Sequence, residues 1–79
     1  MKLNVLLFGV TKEIIGESPQ QIEIQGETVK DLRDHLLNNY SKLSGLNSLM
    51  IAVNNEYAEN DLQLKESDEI ALIPPVSGG

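Results

Sequence analysis

A chain of 79 residues with 41 % hydrophobic content and no cysteine makes one domain with a thin core. That leaves little room for an enclosed active site, and it excludes disulfides, thiolate metal sites and a cysteine nucleophile within the chain. Twelve acidic against six basic side chains give a formal net charge of −6, which repels polyanions such as nucleic acid and favours encounter with basic partner surfaces. No apolar run approaches the roughly 20 residues that span a bilayer.

Lys2–Phe8 alternates around Leu3, Val5 and Leu7, with Leu6 and Phe8 on the other face, so the spacing predicts a strand with both faces partly covered. Its apolar stretch Val5-Leu6-Leu7-Phe8 is too short for a secretory signal. The absence of a signal and of cysteine leads us to expect a cytoplasmic protein. Thr11 is placed to cap a short helical turn, Thr11–Ile15, stopped by Gly16. Ser18-Pro19 reads as a turn, and Gln20–Gln25, with Ile22 and Ile24 in phase, reads as a second strand ended by Gly26.

Thr28-Val29-Lys30-Asp31 resembles a capping box with Asp in place of the usual Glu. Val29, Leu32, Leu36 and Tyr40, with Leu37 beside them, repeat at helical spacing and predict an amphipathic helix over Val29–Asn39. Ser41–Ser48 is polar, contains Gly45 and reads as a loop. Leu49–Val53 is a third strand, and Asn54-Asn55 tolerates positive φ and makes a tight turn into a short return strand, Glu56–Ala58. After turns at Asn60-Asp61 and Lys65–Asp68, Glu69–Ile73 is the last strand. First and last strands are expected to pair centrally, with a hairpin of strands 1 and 2. One main helix over one face of a mixed sheet is an α+β, β-grasp (ubiquitin-like) arrangement.

The chain then runs Ile73-Pro74-Pro75-Val76-Ser77-Gly78-Gly79. Pro74 and Pro75 lack N–H groups and should stop the strand ladder. We therefore divide the chain into a domain, residues 1–75, and a flexible tail, residues 76–79. Four extended residues reach roughly 13 Å, enough to enter a partner. Glycine has no Cβ, so Gly78 and Gly79 can thread a narrow slot and expose the terminal carbonyl to another active site. The Gly79 carboxylate is ionised and a poor electrophile until it is given a leaving group. Ser77 is the only hydroxyl near it and has no base beside it in sequence.

Other candidates read as structure. His35 is the lone histidine, and with Asp31 and Asp34 it forms no convincing metal set, since Asp31 and His35 are an ordinary i,i+4 helix pair. Asp68 and Glu69, as successive strand residues, point to opposite faces. Glu56, Glu59 and Asp61 lack the oxygen spacing of a calcium loop, and Gly9 and Gly16 do not form a phosphate loop. Phe8, Tyr57 and Ile73 are different. If Leu3, Val5, Leu7, Ile70 and Leu72 face the helix, Phe8 and Ile73 face away, next to the start of the tail, as a docking patch with Lys12 at its edge.

The runs Ala52-Val53-Asn54-Asn55-Glu56 and Asp68-Glu69-Ile70-Ala71-Leu72-Ile73-Pro74-Pro75-Val76-Ser77-Gly78-Gly79, with Phe8–Gly16, resemble the MoaD family, the small subunit of molybdopterin synthase, over essentially the whole chain. One departure is Ser67, where that family usually has glycine. The wider relation includes the thiamine sulfur carrier ThiS and ubiquitin-like modifiers. The resemblance implies that Gly79 is adenylated by a MoeB-like enzyme, which uses ATP in trans, and is then converted to a thiocarboxylate. The chain itself would bind no cofactor and no metal. A MoaE-like large subunit would receive Val76, Ser77, Gly78 and Gly79 and contact Phe8, Lys12, Tyr57, Ile73, Pro74 and Pro75. Sulfur would pass to precursor Z, within a heterotetramer of two small and two large subunits. The alternatives are sulfur carriage for thiamine thiazole and protein modification through Gly79.

Overall fold

In β1, Lys2–Leu7, the residues Leu3, Val5 and Leu7 are buried while Lys2 and Asn4 are exposed. This is the alternation of a strand with one face on the core. The computed structural model describes residues 1–46 and 49–75. Beyond β1 it contains helix α1 (Val10–Ile15), strand β2 (Gln20–Glu23), helix α2 (Val29–Asn39), a 3-10 turn (Ser41–Gly45), and strands β3 (Met50–Val53), β4 (Glu56–Tyr57) and β5 (Glu69–Ile73).

The strands form one sheet in the order β2-β1-β5-β3-β4. β1 and β5 run parallel at its centre, with Val5 opposite Ile70 and Leu7 opposite Leu72, and the remaining pairs are antiparallel. The main helix α2 buries Val29, Leu32 and Leu36 among Leu3, Val5, Ile51, Ile70 and Leu72 of the sheet. This is the β-grasp arrangement expected from the sequence.

The start of α2 shows why the helix begins where it does. Asp31 N–H donates to Thr28 Oγ1 at 3.2 Å, and Asp31 Oδ2 accepts from the backbone of Thr28 at 3.1 Å and of Glu27 at 3.0 Å. The next free helix donors, Val29 N–H and Lys30 N–H, reach the carbonyls of Leu62 and Asn60, each at 3.0 Å. Every early helix donor thus finds an acceptor, as buried helix ends require. Gly26 makes this possible: at φ 113° it passes so close to Asp31 that a side chain there would collide with the carboxylate.

Three expectations need correction. Thr11 does not cap α1; Gly9 holds that place, and Thr11 lies one residue inside the helix, fully buried. Its hydroxyl bonds the backbone of Phe8 instead. The segment read as a loop begins with the 3-10 turn, because Leu43 is apolar and packs into the core at 1 % exposure; residues 47 and 48 lie outside the described residues. Strand ends also contract, β1 to Leu7, β2 to Glu23, β3 to Met50 and β4 to Tyr57. Asn54 and Asn55 adopt φ 54° and 71°, and Val53 pairs with Glu56 across them, a two-residue turn of the expected type. Positive φ at non-glycine positions is confined to those two among the described residues, so Ser67 fits its turn without glycine.

Candidate functional site

The face of the sheet turned away from α2 is organised in rows by strand register. One row crosses four strands: Leu6 stands opposite Ala71, Ala71 opposite Ala52, and Ala52 opposite Tyr57. The next row toward the end of β5 places Ile73 opposite Met50, with Phe8 just past β1. In the other direction Asn4 stands opposite Gln21 and Glu69. The open face is therefore apolar where β5 ends and polar where β5 begins. Phe8 is 49 %, Met50 40 % and Tyr57 66 % exposed, so this apolar end faces water. A depression of about 320 Å³ lies there, with Leu6, Phe8, Ala71 and Ile73 on one side, Ala52 and Tyr57 on the other, and Asn55 and Glu69 at its polar rim.

The corner after β1 fixes Phe8. Thr11 Oγ1 accepts from Phe8 N–H at 2.9 Å and donates to Phe8 O at 2.6 Å, while Thr11 N–H donates to the same carbonyl at 3.1 Å. Ser18 Oγ accepts from Leu7 N–H at 2.9 Å. Side chains thus satisfy the backbone where β1 runs past β2, and no ladder partner is needed. Gly9 follows at φ 56°, and a methyl group there would come within 3.2 Å of Pro74 Cγ. The glycine lets the corner approach the start of the C-terminal segment closely.

Of the residues singled out from sequence, Phe8, Tyr57 and Ile73 meet at one depression. Pro74 sits beside Gly9, and Pro75 is half-buried. Lys12 is exposed on α1 and does not line the depression. Val76, Ser77, Gly78 and Gly79 lie outside the described residues. Leu6, Ala52, Ala71 and Thr11 were missed. Alternation in β5 could have assigned Ala71 to the face of Ile73, but only the register brings Ala52 beside it.

Asp68 and Glu69 do not converge. Asp68 accepts from Lys65 N–H at 2.8 Å and from Asn54 Nδ2 at 3.0 Å, and these bonds, the backbone one foremost, hold its pKa below the usual carboxylate range. Asp31 is lowered likewise by the backbone N–H groups of Glu27 and Thr28 and by the Thr28 hydroxyl. A second, wide hollow of about 1250 Å³ near Met1 and Gly26 is bordered by Asp31, Asp34 and His35. Asp31 is occupied with the helix cap, and Asp34 pairs with Lys30 at 2.7 Å. Among the described residues no three His, Cys, Asp or Glu side chains are grouped to hold a metal ion, and no helix is long and apolar enough to cross a membrane.

The family model of the ThiS family matches residues 5–79. The chain belongs to the ThiS family. A Mycobacterium tuberculosis protein named molybdopterin synthase sulfur carrier subunit is 38 % identical to this ThiS-family chain over 82 residues, spanning 100 % of this chain and 99 % of the relative. One chain in the structure of the complex of subunits 1 and 2 of molybdopterin-converting factor from Helicobacter pylori is 32 % identical. It has a TM-score of 0.65 and full coverage of both chains. SAMP1 from Haloferax volcanii, a small archaeal modifier protein, matches at 27 % identity and TM-score 0.78, again over 100 % of both chains.

Proposed function

We propose that this ThiS-family chain is the sulfur-carrier small subunit of molybdopterin synthase. The observation that carries the reading is the apolar end of the open sheet face, which adjoins Pro74 at the root of the segment leading to Gly79. Full-length similarity to a chain solved in the complex of subunits 1 and 2 of molybdopterin-converting factor supports a partner subunit for this chain. The domain brings the tail to its partners and supplies no catalytic group to the chemistry.

The chemistry follows from what a terminal carboxylate lacks, which is a leaving group. A Gly79 carboxylate oxygen attacks the α-phosphorus of ATP held by an activating enzyme, and pyrophosphate departs. Hydrosulfide, or an equivalent donor of sulfur at the sulfide level, then adds to the acyl carbon, AMP leaves with the bonding pair and the sulfur loses its proton, giving a thiocarboxylate. The large synthase subunit takes the tail, and sulfur passes to precursor Z. Val76 and Ser77 extend through the entry, and Gly78 and Gly79 occupy its narrow end. Phe8, Tyr57 and Ile73 dock on the large subunit, with Lys12, Pro74 and Pro75 at the margin. The assembly is two small and two large subunits in the cytoplasm.

Intact-mass spectrometry of the chain after incubation with activating enzyme, ATP and a sulfur source tests this. The expected result is one oxygen replaced by sulfur, located by fragmentation on Gly79. Deleting Gly79 should abolish that product and leave the folded domain intact. Absence of the sulfur product, or full activity of a form extended beyond Gly79 without trimming, would overturn the reading. Similarity to SAMP1 favours a second reading, a protein modifier, for which the same spectra would show Gly79 joined to lysines of other proteins.

A further inference from the structure

We infer that Ala52 and Ala71 form the floor of a socket that receives a bulky apolar side chain of the large synthase subunit. The identity of the partner rests on the function proposed above; the socket itself rests on register and side-chain size. Four strands contribute one residue each to the row Leu6–Ala71–Ala52–Tyr57. The two inner positions carry only a methyl group, and the two outer ones carry large side chains. Neighbouring strands lie about 4.8 Å apart, so Leu6 and Tyr57 stand roughly 14 Å from one another across the two alanines. Phe8 and Ile73 close the side nearer the tail. The row of small residues between walls is what gives the depression its 320 Å³.

The chemistry of the occupant follows from the lining. The floor offers no hydrogen-bonding side chain, so a polar group seated there would lose its water without compensation. Asn55 and Glu69 lie at the end away from the tail and suit a polar or basic rim around an apolar centre, the usual make-up of an interface. The place of the occupant follows from the covalent chain. Gly79 is only the fourth residue after Pro75, a reach of at most about 14 Å. A protein that holds Gly79 in its active site therefore stands over the end of β5, where the socket opens. Ala52 and Ala71 are thus specificity determinants, since their smallness is what admits the partner's side chain.

The test uses the full-length chain and the large subunit. With the alanine methyl groups labelled, NMR of the complex with unlabelled large subunit should show contacts from Ala52 and Ala71 methyls to aliphatic or aromatic protons of the partner. Ala71→Leu fills the socket and should weaken the complex by roughly thirty-fold or more, the scale of an interface hot spot. Because Ala71 points away from the core, the thermal midpoint should hold; should the variant unfold, the methyl contacts of the unsubstituted chain decide. Contacts only to a second copy, or only to the chain's own terminal residues, would overturn the socket's occupant. So would unweakened binding of a folded Ala71→Leu. If the chain forms the Gly79 thiocarboxylate and binds the large subunit without those contacts, the socket falls and the sulfur-carrier reading stands. If it neither acquires sulfur nor binds, the underlying reading fails and takes the socket's occupant with it.

Discussion

Thr11→Val isolates the clamp that holds Phe8 at the edge of the docking face. The substitution nearly preserves shape while removing a hydroxyl that accepts Phe8 N–H at 2.9 Å and donates to Phe8 O at 2.6 Å. The carbonyl keeps a partner, because Thr11 N–H still reaches it at 3.1 Å. The amide does not, and an unsatisfied donor at a covered site costs about 1–3 kcal/mol. The valine methyl, at a position with no exposed surface, returns up to about 0.8 kcal/mol. A net loss of about 0.2–2.2 kcal/mol, at about 4–8 °C per kcal/mol for a domain of this size, lowers the thermal midpoint by roughly 1–18 °C. Circular dichroism measures that shift, and hydrogen exchange at the Phe8 amide identifies its cause. Thr11→Ser keeps the hydroxyl and should keep that amide protected, whereas Thr11→Val should not. A valine variant with unchanged midpoint and a protected Phe8 amide would refute the clamp.

The remaining expectations concern docking, the helix start and acid stability. Phe8→Asp should weaken assembly with the large subunit by about tenfold or more, because docking would strip water from an unpaired carboxylate. Titration calorimetry reads the affinity, and the thermal midpoint should stay near that of the parent because Phe8 is half exposed. Gly26→Ala should destabilise the domain by about 1–3 kcal/mol in urea denaturation, since φ 113° is foreign to alanine and its methyl meets Asp31; equal stability would show that the cap relaxes freely. Asp31 and Asp68 both have lowered folded pKa values. Their contribution is present above the unfolded carboxylate pKa of about 3.9 and is lost as pH falls through the lower folded values. Urea midpoints should therefore drop below about pH 4, and Asp31→Asn with Asp68→Asn should flatten that drop. An acid limb as steep in the double variant as in the parent would assign the loss to other groups.

Much of the fold was legible because local chemistry specified it. The period of Val29, Leu32 and Leu36 and the Thr28–Asp31 cap fixed α2 at Val29–Asn39, as observed. Asn54-Asn55 marked its turn through a tolerance for positive φ. The Thr11 assignment failed because a hydroxyl before a helical run signals a cap only when the residue lies outside the helix; here the tight corner at Gly9 starts the helix earlier and turns the hydroxyl onto Phe8. The 3-10 turn was read as loop because its single buried anchor, Leu43, carries no period.

By itself, then, the order of residues determined which side chains face the helix, where α2 starts and stops, and that two prolines end the ladder ahead of the Gly78-Gly79 pair. Alternation supplies a face but no neighbour, since a strand's side chains point the same way whichever strand lies beside it. Only the assembled sheet, with β5 between β1 and β3, set Ala71 against Ala52 between Leu6 and Tyr57 and brought Gly9 against Pro74. Those contacts join residues distant in sequence, and the pairing of strands around a shared core is what selects them.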